Sequence, residues 1–413
     1  MLDREETRKA DARSAAELRN NRHALYLARL AHLKAAMRAA DIPAVLELDS
    51  NHIFYATGAS NMQLFTLRTP ARYLLILAEG PVILYEYIGC EHLARSLPTI
   101  DEIRPSEGLD LISSGGNVEA AARRFAAEIA GTIRAFDPEL DRIAIGRFPW
   151  QAVDALRAQG LTVTDANAVL NPARAIKLPC ELPYLREAMR RVEMAVDRLE
   201  QNAEPDRTEA EIWAHFHYAL MAKEGQYVST RLFQSGPNTY PYFQEAGPRL
   251  LQKGELLCLD TDAIGFENYA VDFSRTFLCG DGRATDDQRL LYARAREQLE
   301  TNAELLKPGL DFEELAAKAW TVPEEHMKSR YYCIGHGLGM SGEFPNIPHR
   351  TPGQPYPLPG QIEPGMVICL ESYVGWDRSA EGVKLEDQFL ITETGVERMS
   401  RYQFDERLQT REY

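Results

Sequence analysis

The sequence predicts an α+β protein in two parts: an α/β domain over residues 1–177, then a domain of helices and acidic strands over 178–413. Three features predict it. Strand-like and helix-like runs alternate through the first part, as in an α/β domain. The segment Arg174–Pro183 carries two prolines and gives way to a long amphipathic helix, which marks a boundary. Beyond it the chain runs helix–helix–strands twice, with carboxylates on the strands of both halves. That is the layout of two related halves closing on one site.

Taken in order, residues 1–22 are charged and read as a helix or a loose arm. His23–Ala40, with Leu25, Leu27, Leu30, Leu33 and Met37 apolar, fits an amphipathic helix. Ile42–Leu48, His52–Ala56, Ala71–Ala78 and Pro81–Tyr87 read as strands. A helix over Val118–Arg134, a strand over Arg142–Ile145, a helix over Trp150–Gln159 and a strand over Leu161–Thr164 complete the first part. In the second part, helices are predicted over Tyr184–Gln201 and Thr208–Lys223, the latter after the cap-like Asp206-Arg-Thr208. The aromatic loop Ser235–Gly247 follows. Leu256–Leu259 and Tyr269–Phe277 read as two strands of a hairpin turning at Gly265 and Asn268. Helices over Asp286–Leu306 and Phe312–Ala319 precede strands over Cys333–Gly339, Val367–Glu371 and Lys384–Thr392.

Composition narrows the class. At 413 residues two domains are expected, and 45% hydrophobic with 26% charged residues is ordinary for a globular protein. A net charge of −15 argues against nucleic acid or an anionic membrane as partner. The charged start lacks a secretory apolar core and no stretch reads as a membrane span, so a cytoplasmic location is expected. Six scattered cysteines without a CxxC spacing read as reduced, buried thiols.

The chemistry lies in the strands. The hairpin holds Asp260, Asp262 and Asp272, and brings the last two onto facing strands. His336 lies in GHGLG, where flanking glycines leave room for the imidazole. Glu371 ends the apolar run MVICLE, and Glu386 sits within VKLEDQFLI. Singly, a buried Glu is more often ion-paired than metal-bound, and a lone His more often a satisfied core residue. Together, several carboxylates with one imidazole are tolerable around cations and suit Mn, Fe, Co or Zn. With this many acids two ions are expected, roughly 3.5–4 Å apart. Asp260 is either a further ligand, since i and i+2 point the same way, or an acid that orients one; we take it as a ligand.

The order Asp262, Asp272, His336, Glu371, Glu386 resembles the metal set of the pita-bread metallohydrolases, which include methionine aminopeptidase, prolidase, aminopeptidase P and the metal-free creatinase. Asp272-Phe-Ser-Arg-Thr-Phe, GHGLG and Glu363-Pro-Gly-Met-Val are similar to that family's motifs. The resemblance implies a pita-bread domain over 178–413, a creatinase-type domain over 1–177, and a homodimer. With all five ligands present, it also implies a metalloenzyme.

Two departures bear on the reaction. The family's peptidases carry a proton-handling His in the loop that here reads Ser235-Gly-Pro-Asn-Thr-Tyr-Pro-Tyr-Phe-Gln. They carry a second His where this chain has Gly342, and His349 reads as non-catalytic. Both departures, and the Asp260-Thr-Asp262 pair, are similar to the DddP-type dimethylsulfoniopropionate lyase. That branch implies metal-assisted elimination from a small carboxylate substrate, giving dimethyl sulfide and acrylate. Glu343, Tyr331 as tyrosinate, or a metal-bound hydroxide is the expected base. Tyr240, Tyr242, Phe243, Tyr332 and Phe344 are expected to line the substrate pocket, where aromatic faces attract a sulfonium. The lyase has an Asp, proposed as its base, at the position of Gly342, so this chain departs from it there. A C–N hydrolase of the same fold, or a non-catalytic binding member, is the alternative.

Overall fold

The computed structural model describes residues 2–409, with side chains from Ser14 onward. Chain contacts divide it into two units at Arg174/Ala175, three residues before the boundary expected from the sequence.

The first unit is a six-stranded mixed sheet. Its strands lie in the order Glu102–Pro105, Val82–Glu86, Tyr73–Leu77, Ala44–Glu47, Arg142–Ile145 and Thr162–Asp165. Phe125, Ile129 and Ile133 of the helix Val118–Phe136 pack on Leu46, Leu75, Ile83 and Ile143 of the sheet. A single helix, Leu2–Ala39, spans both the charged start and the amphipathic run. His52–Ala56, expected as a strand, is helical within Ser50–Thr57. Asp49 caps its start, accepting from the Asn51 amide at 2.8 Å, and Gly58 ends it at φ 84°. Those two caps outweigh the apolar run that suggested a strand.

In the second unit, the helices Leu182–Glu200, Glu209–Met221, Asp286–Leu305 and Phe312–Lys318 accompany a large antiparallel sheet. Thr208 and Thr285 each close a capping box, with Glu211 and Gln288. The strands Val367–Trp376 and Glu381–Ile391 show why the sheet can carry a polar site. Ile368, Leu370 and Val374, with Val383, Leu385 and Phe389, join Leu291, Ala295 and Leu299 of the Asp286–Leu305 helix in one apolar core. The alternate residues, Cys369, Glu371 and Tyr373 with Lys384, Glu386 and Gln388, therefore point to the opposite face. The expected hairpin is present but bent. Leu256–Asp260 pairs with Ser274–Leu278 in the large sheet, and Ala263–Ile264 pairs with Ala270–Val271 in a small one.

Candidate metal centre

Strand register assembles the site in a row. Asp260 stands opposite Ser274, Ser274 opposite Glu386, and Glu386 opposite Glu371. On the next strand His336 stands opposite Cys369, two residues from Glu371. Asp262 and Asp272 both lie where the hairpin passes from one sheet to the other. There Asp262 takes φ 37°, a left-handed conformation rare outside glycine and held here against strain.

Asp260, Asp272, His336, Glu371 and Glu386 are buried, and Asp262 is half-buried at the rim. His336 Nε2 lies 3.4 Å from Glu371, 3.7 Å from Asp272 and 3.7 Å from Glu386. Its Nδ1 is 3.1 Å from the Gly337 carbonyl, which as acceptor leaves Nε2 facing the carboxylates. Tyr242 donates its hydroxyl to Asp260 Oδ2 at 2.6 Å, and Thr230 donates to Asp262 Oδ2 at 2.6 Å.

The residue the sequence reading missed is Lys384. Its fully buried ammonium lies 2.6 Å from Glu371 Oε2, 2.8 Å from Glu386 Oε2 and 3.4 Å from Asp260 Oδ2, and it donates to Ser274 Oγ at 2.7 Å. The signal was present, since Lys384 precedes Glu386 by two and must share its face.

Charge and burial pull the acids apart. Burial opposes ionisation of Asp260 and Glu371, yet the Lys384 ammonium holds both below the usual carboxylate range. Burial and then the neighbouring acids push Asp272 and Glu386 well above it, and push Asp262 up to about 6. Against burial, Glu371 and Glu386 raise the His336 imidazole to about 9. A divalent cation reverses this logic, favouring carboxylates and a neutral imidazole.

The donor set fits such a cation. Asp260 Oδ1, Asp272 Oδ1 and Glu386 Oε1 are buried with no hydrogen-bond partner, an arrangement costly unless a cation meets them. One oxygen each from Asp260, Asp272 and Glu386 lie within 4.8 Å of one another, as do donors of His336, Cys369 and Glu386. Cys369, read from sequence only as a buried thiol, thus borders the site. Burial, Glu386 and Asp272 push its thiol well above its ordinary value, so without a cation it is protonated.

The other expected site residues fare differently. Tyr242, Phe243, Tyr331 and Tyr332 form one aromatic wall, with ring centroids 4.7 Å apart for Tyr242–Phe243, 5.3 Å for Phe243–Tyr331 and 4.9 Å for Tyr331–Tyr332. Tyr240 packs against this group and donates its hydroxyl to Asp377 at 2.6 Å. The faces of Tyr331 and Tyr242 are turned to Lys384, 5.0 and 5.6 Å from its ammonium. Only Phe243, 54% exposed, and Tyr332, 57% exposed, remain open. Burial and Glu371 drive the Tyr331 hydroxyl far above its ordinary value. Without a cation in the site it stands as a phenol; a divalent cation held by Glu371 acts in the opposite direction.

Glu343 is likewise not a free base. Its Oε2 meets the Lys177 ammonium at 3.0 Å in a buried pair, and its Oε1 accepts from the Met340 amide at 2.8 Å. Phe344 packs edge-on against Phe312, with centroids 6.0 Å apart, among the core residues beneath the sheet and not in the pocket. The glycines of GHGLG serve backbone packing, not room for the imidazole. A Cβ on Gly335 would meet the Cys369 carbonyl at 2.4 Å, and one on Gly337 the Phe344 carbonyl at 2.2 Å.

Residues 183–393 match the model of metallopeptidase family M24. The chain is 34% identical to dimethylsulfoniopropionate lyase DddP of Roseovarius nubinhibens, over 90% of this chain and 84% of that protein. It is 25% identical to the Xaa-Pro dipeptidase of Pyrococcus furiosus, over 56% of this chain and 65% of that one. Among solved structures, prolidase from Thermococcus sibiricus superposes with a TM-score of 0.74 at 20% identity, covering 92% of this chain and 98% of that one.

Proposed function

The chain belongs to metallopeptidase family M24 and is an enzyme of its pita-bread fold, and from that premise we propose that it is a metal-dependent lyase of small carboxylates. The specific reading is elimination from dimethylsulfoniopropionate, or a close analogue, to dimethyl sulfide and acrylate. Asp260, Asp272, His336, Glu371 and Glu386, with Asp262 from the rim, hold two divalent ions. Bound there, the ions supply a Lewis acid that draws charge from the substrate carboxylate and acidifies the neighbouring C–H.

The C–H proton passes to Tyr331, a tyrosinate once the ions are bound, and the C–H electron pair forms the acrylate double bond as dimethyl sulfide leaves. Phe243 and Tyr332 present open aromatic faces to the substrate's cationic end. Tyr242 and Tyr331 shut water from the carboxylate row while enclosing Lys384. The substrate is a small carboxylate, and a homodimer is part of the reading. Exposed Leu64, Phe65 and Ile88 in the first unit give apolar surface for such an association.

The observation that carries the lyase reading is the Ser235–Gly247 loop. It brings Tyr242 onto Asp260, where a peptidase of this fold requires an imidazole for proton transfer. Two downstream histidines are engaged elsewhere. His326 packs on Trp376 with centroids 5.0 Å apart, and the His349 ring is hydrogen-bonded to the Tyr331 backbone.

The test is headspace chromatography of dimethyl sulfide from dimethylsulfoniopropionate, with Mn, Fe or Zn supplied. Release above the boiled-protein control supports the lyase. Absence of release, together with hydrolysis of an Xaa-Pro dipeptide, moves the function to the C–N hydrolases.

A further inference from the structure

We propose that Lys384 is a resident cation of the metal cage: it holds the carboxylates together before metal arrives and weakens the grip on metal afterwards. The inference rests on the metal-centre reading and goes beyond it.

Five carboxylates, Asp260, Asp262, Asp272, Glu371 and Glu386, converge here, and Glu371 and Glu386 are direct cross-strand neighbours. Like charges so placed repel, and more strongly in a buried setting than in water. Lys384 lies between these two acids, 2.6 Å from one and 2.8 Å from the other. Strands carrying Ser274 and Asp260 approach it from one side and the rings of Tyr331 and Tyr242 from another, so its side chain is fully enclosed. A buried ammonium with three carboxylates around it is a counter-ion built into the chain.

The ammonium also sorts the oxygens. It takes Oε2 of both glutamates, while Oε1 of both faces His336 Nε2 at 3.4 and 3.7 Å. Each glutamate is left one oxygen for an external ion. With one ammonium set against five carboxylates, the residual charge is that of four acids, which two divalent ions neutralise. Lys384 is thus a positioning residue, and its sign is diagnostic. Loss of packing weakens metal binding, whereas loss of a competing cation strengthens it.

The experiment compares wild type, Lys384→Met and Lys384→Arg. Melting temperature is read with and without chelator, and Mn²⁺ or Zn²⁺ affinity by competition with a coloured chelator. Lys384→Met is expected to melt several degrees below wild type when chelated, and to bind the metal at least tenfold more tightly. Lys384→Arg is expected to stay near wild type in both. Weaker metal binding by Lys384→Met, or an unchanged chelated melting point, overturns the proposal. If Lys384→Met does not fold, Lys384→Met/Glu371→Gln decides, because it removes one charge of each sign. Soluble double variant supports the counter-ion role; insoluble double variant overturns it. A wild type that takes up no metal sinks the metal-centre reading itself, and is seen before any variant is made.

Discussion

Glu371 and Glu386 face each other on adjacent antiparallel strands, and one oxygen of each meets the same Lys384 ammonium, at 2.6 and 2.8 Å. Glu386 is also common to both close donor sets, with Asp260 and Asp272 and with His336 and Cys369. Metal retention is therefore expected to turn on this residue.

Glu386→Gln keeps shape and removes one charge of the repelling pair. Metal affinity is expected to fall by about 100-fold or more, beyond the usual cost of losing a residue that only supports a ligand. The chelated variant is expected to melt no lower than chelated wild type, since burial and Glu371 already disfavour the ionised form. Elemental analysis with thermal denaturation checks both halves. Wild-type metal content in the variant would remove Glu386 from the ligand set.

Tyr242→Phe deletes the hydroxyl that donates to Asp260 Oδ2 at 2.6 Å and leaves the ring on Tyr373, with centroids 5.0 Å apart. Orienting groups behind a ligand are worth about 10- to 100-fold in metal affinity. We expect a loss in that range with melting temperature nearly unchanged, read by metal titration and calorimetry. Unchanged affinity would mean the Tyr242 hydroxyl does not orient Asp260.

His349 gives a pH signature away from the ligands. Burial first, and then the Arg330 charge, depress it from 6.5 to about 4. Between those values the unfolded chain carries a proton that the folded chain refuses. This contribution to stability is complete above pH 6.5 and is lost as pH falls toward 4. His349→Asn cannot titrate, so its melting temperature is expected to fall less steeply than wild type between pH 7 and pH 4.5. Parallel curves for the two proteins would refute the assignment.

The acidic row was legible in the sequence because acids within apolar strands are anomalous, and period-2 alternation says which face they share. Asp260, Glu371 and Glu386 follow from that argument alone. Lys384 obeys the same alternation but was passed over, because a lysine in a strand reads as an ordinary edge charge until its neighbours are known. Glu343 and Phe344 were misplaced because the strand Gly342–Pro348 has no apolar alternation to reveal it. Its residues alternate between a buried ion pair and the helix-side core, and only the fold tells these from a pocket wall. His52–Ala56 was lost to local chemistry, as capping at Asp49 and Gly58 made a helix of a run that pattern reads as a strand.

Gly342 is where this chain departs from the lyase it resembles, which has an Asp there as its proposed base. The position can accept a side chain, since a Cβ built on Gly342 meets no atom within 4 Å and its φ lies outside the left-handed range. The residue is exposed at the start of the Gly342–Pro348 strand, which pairs with the strand carrying His336. The neighbouring Glu343 cannot deputise, because Lys177 and the Met340 amide occupy its two oxygens. Gly342→Asp is therefore expected to fold with a melting temperature close to wild type and to release dimethyl sulfide faster, by about 100-fold or more if the Asp acts as a general base. Gas chromatography on metal-loaded wild type and variant measures it. A well-folded, metal-loaded variant with no gain would place the substrate outside the sulfonium carboxylates, and dipeptides and cyclic amides become the next compounds to screen.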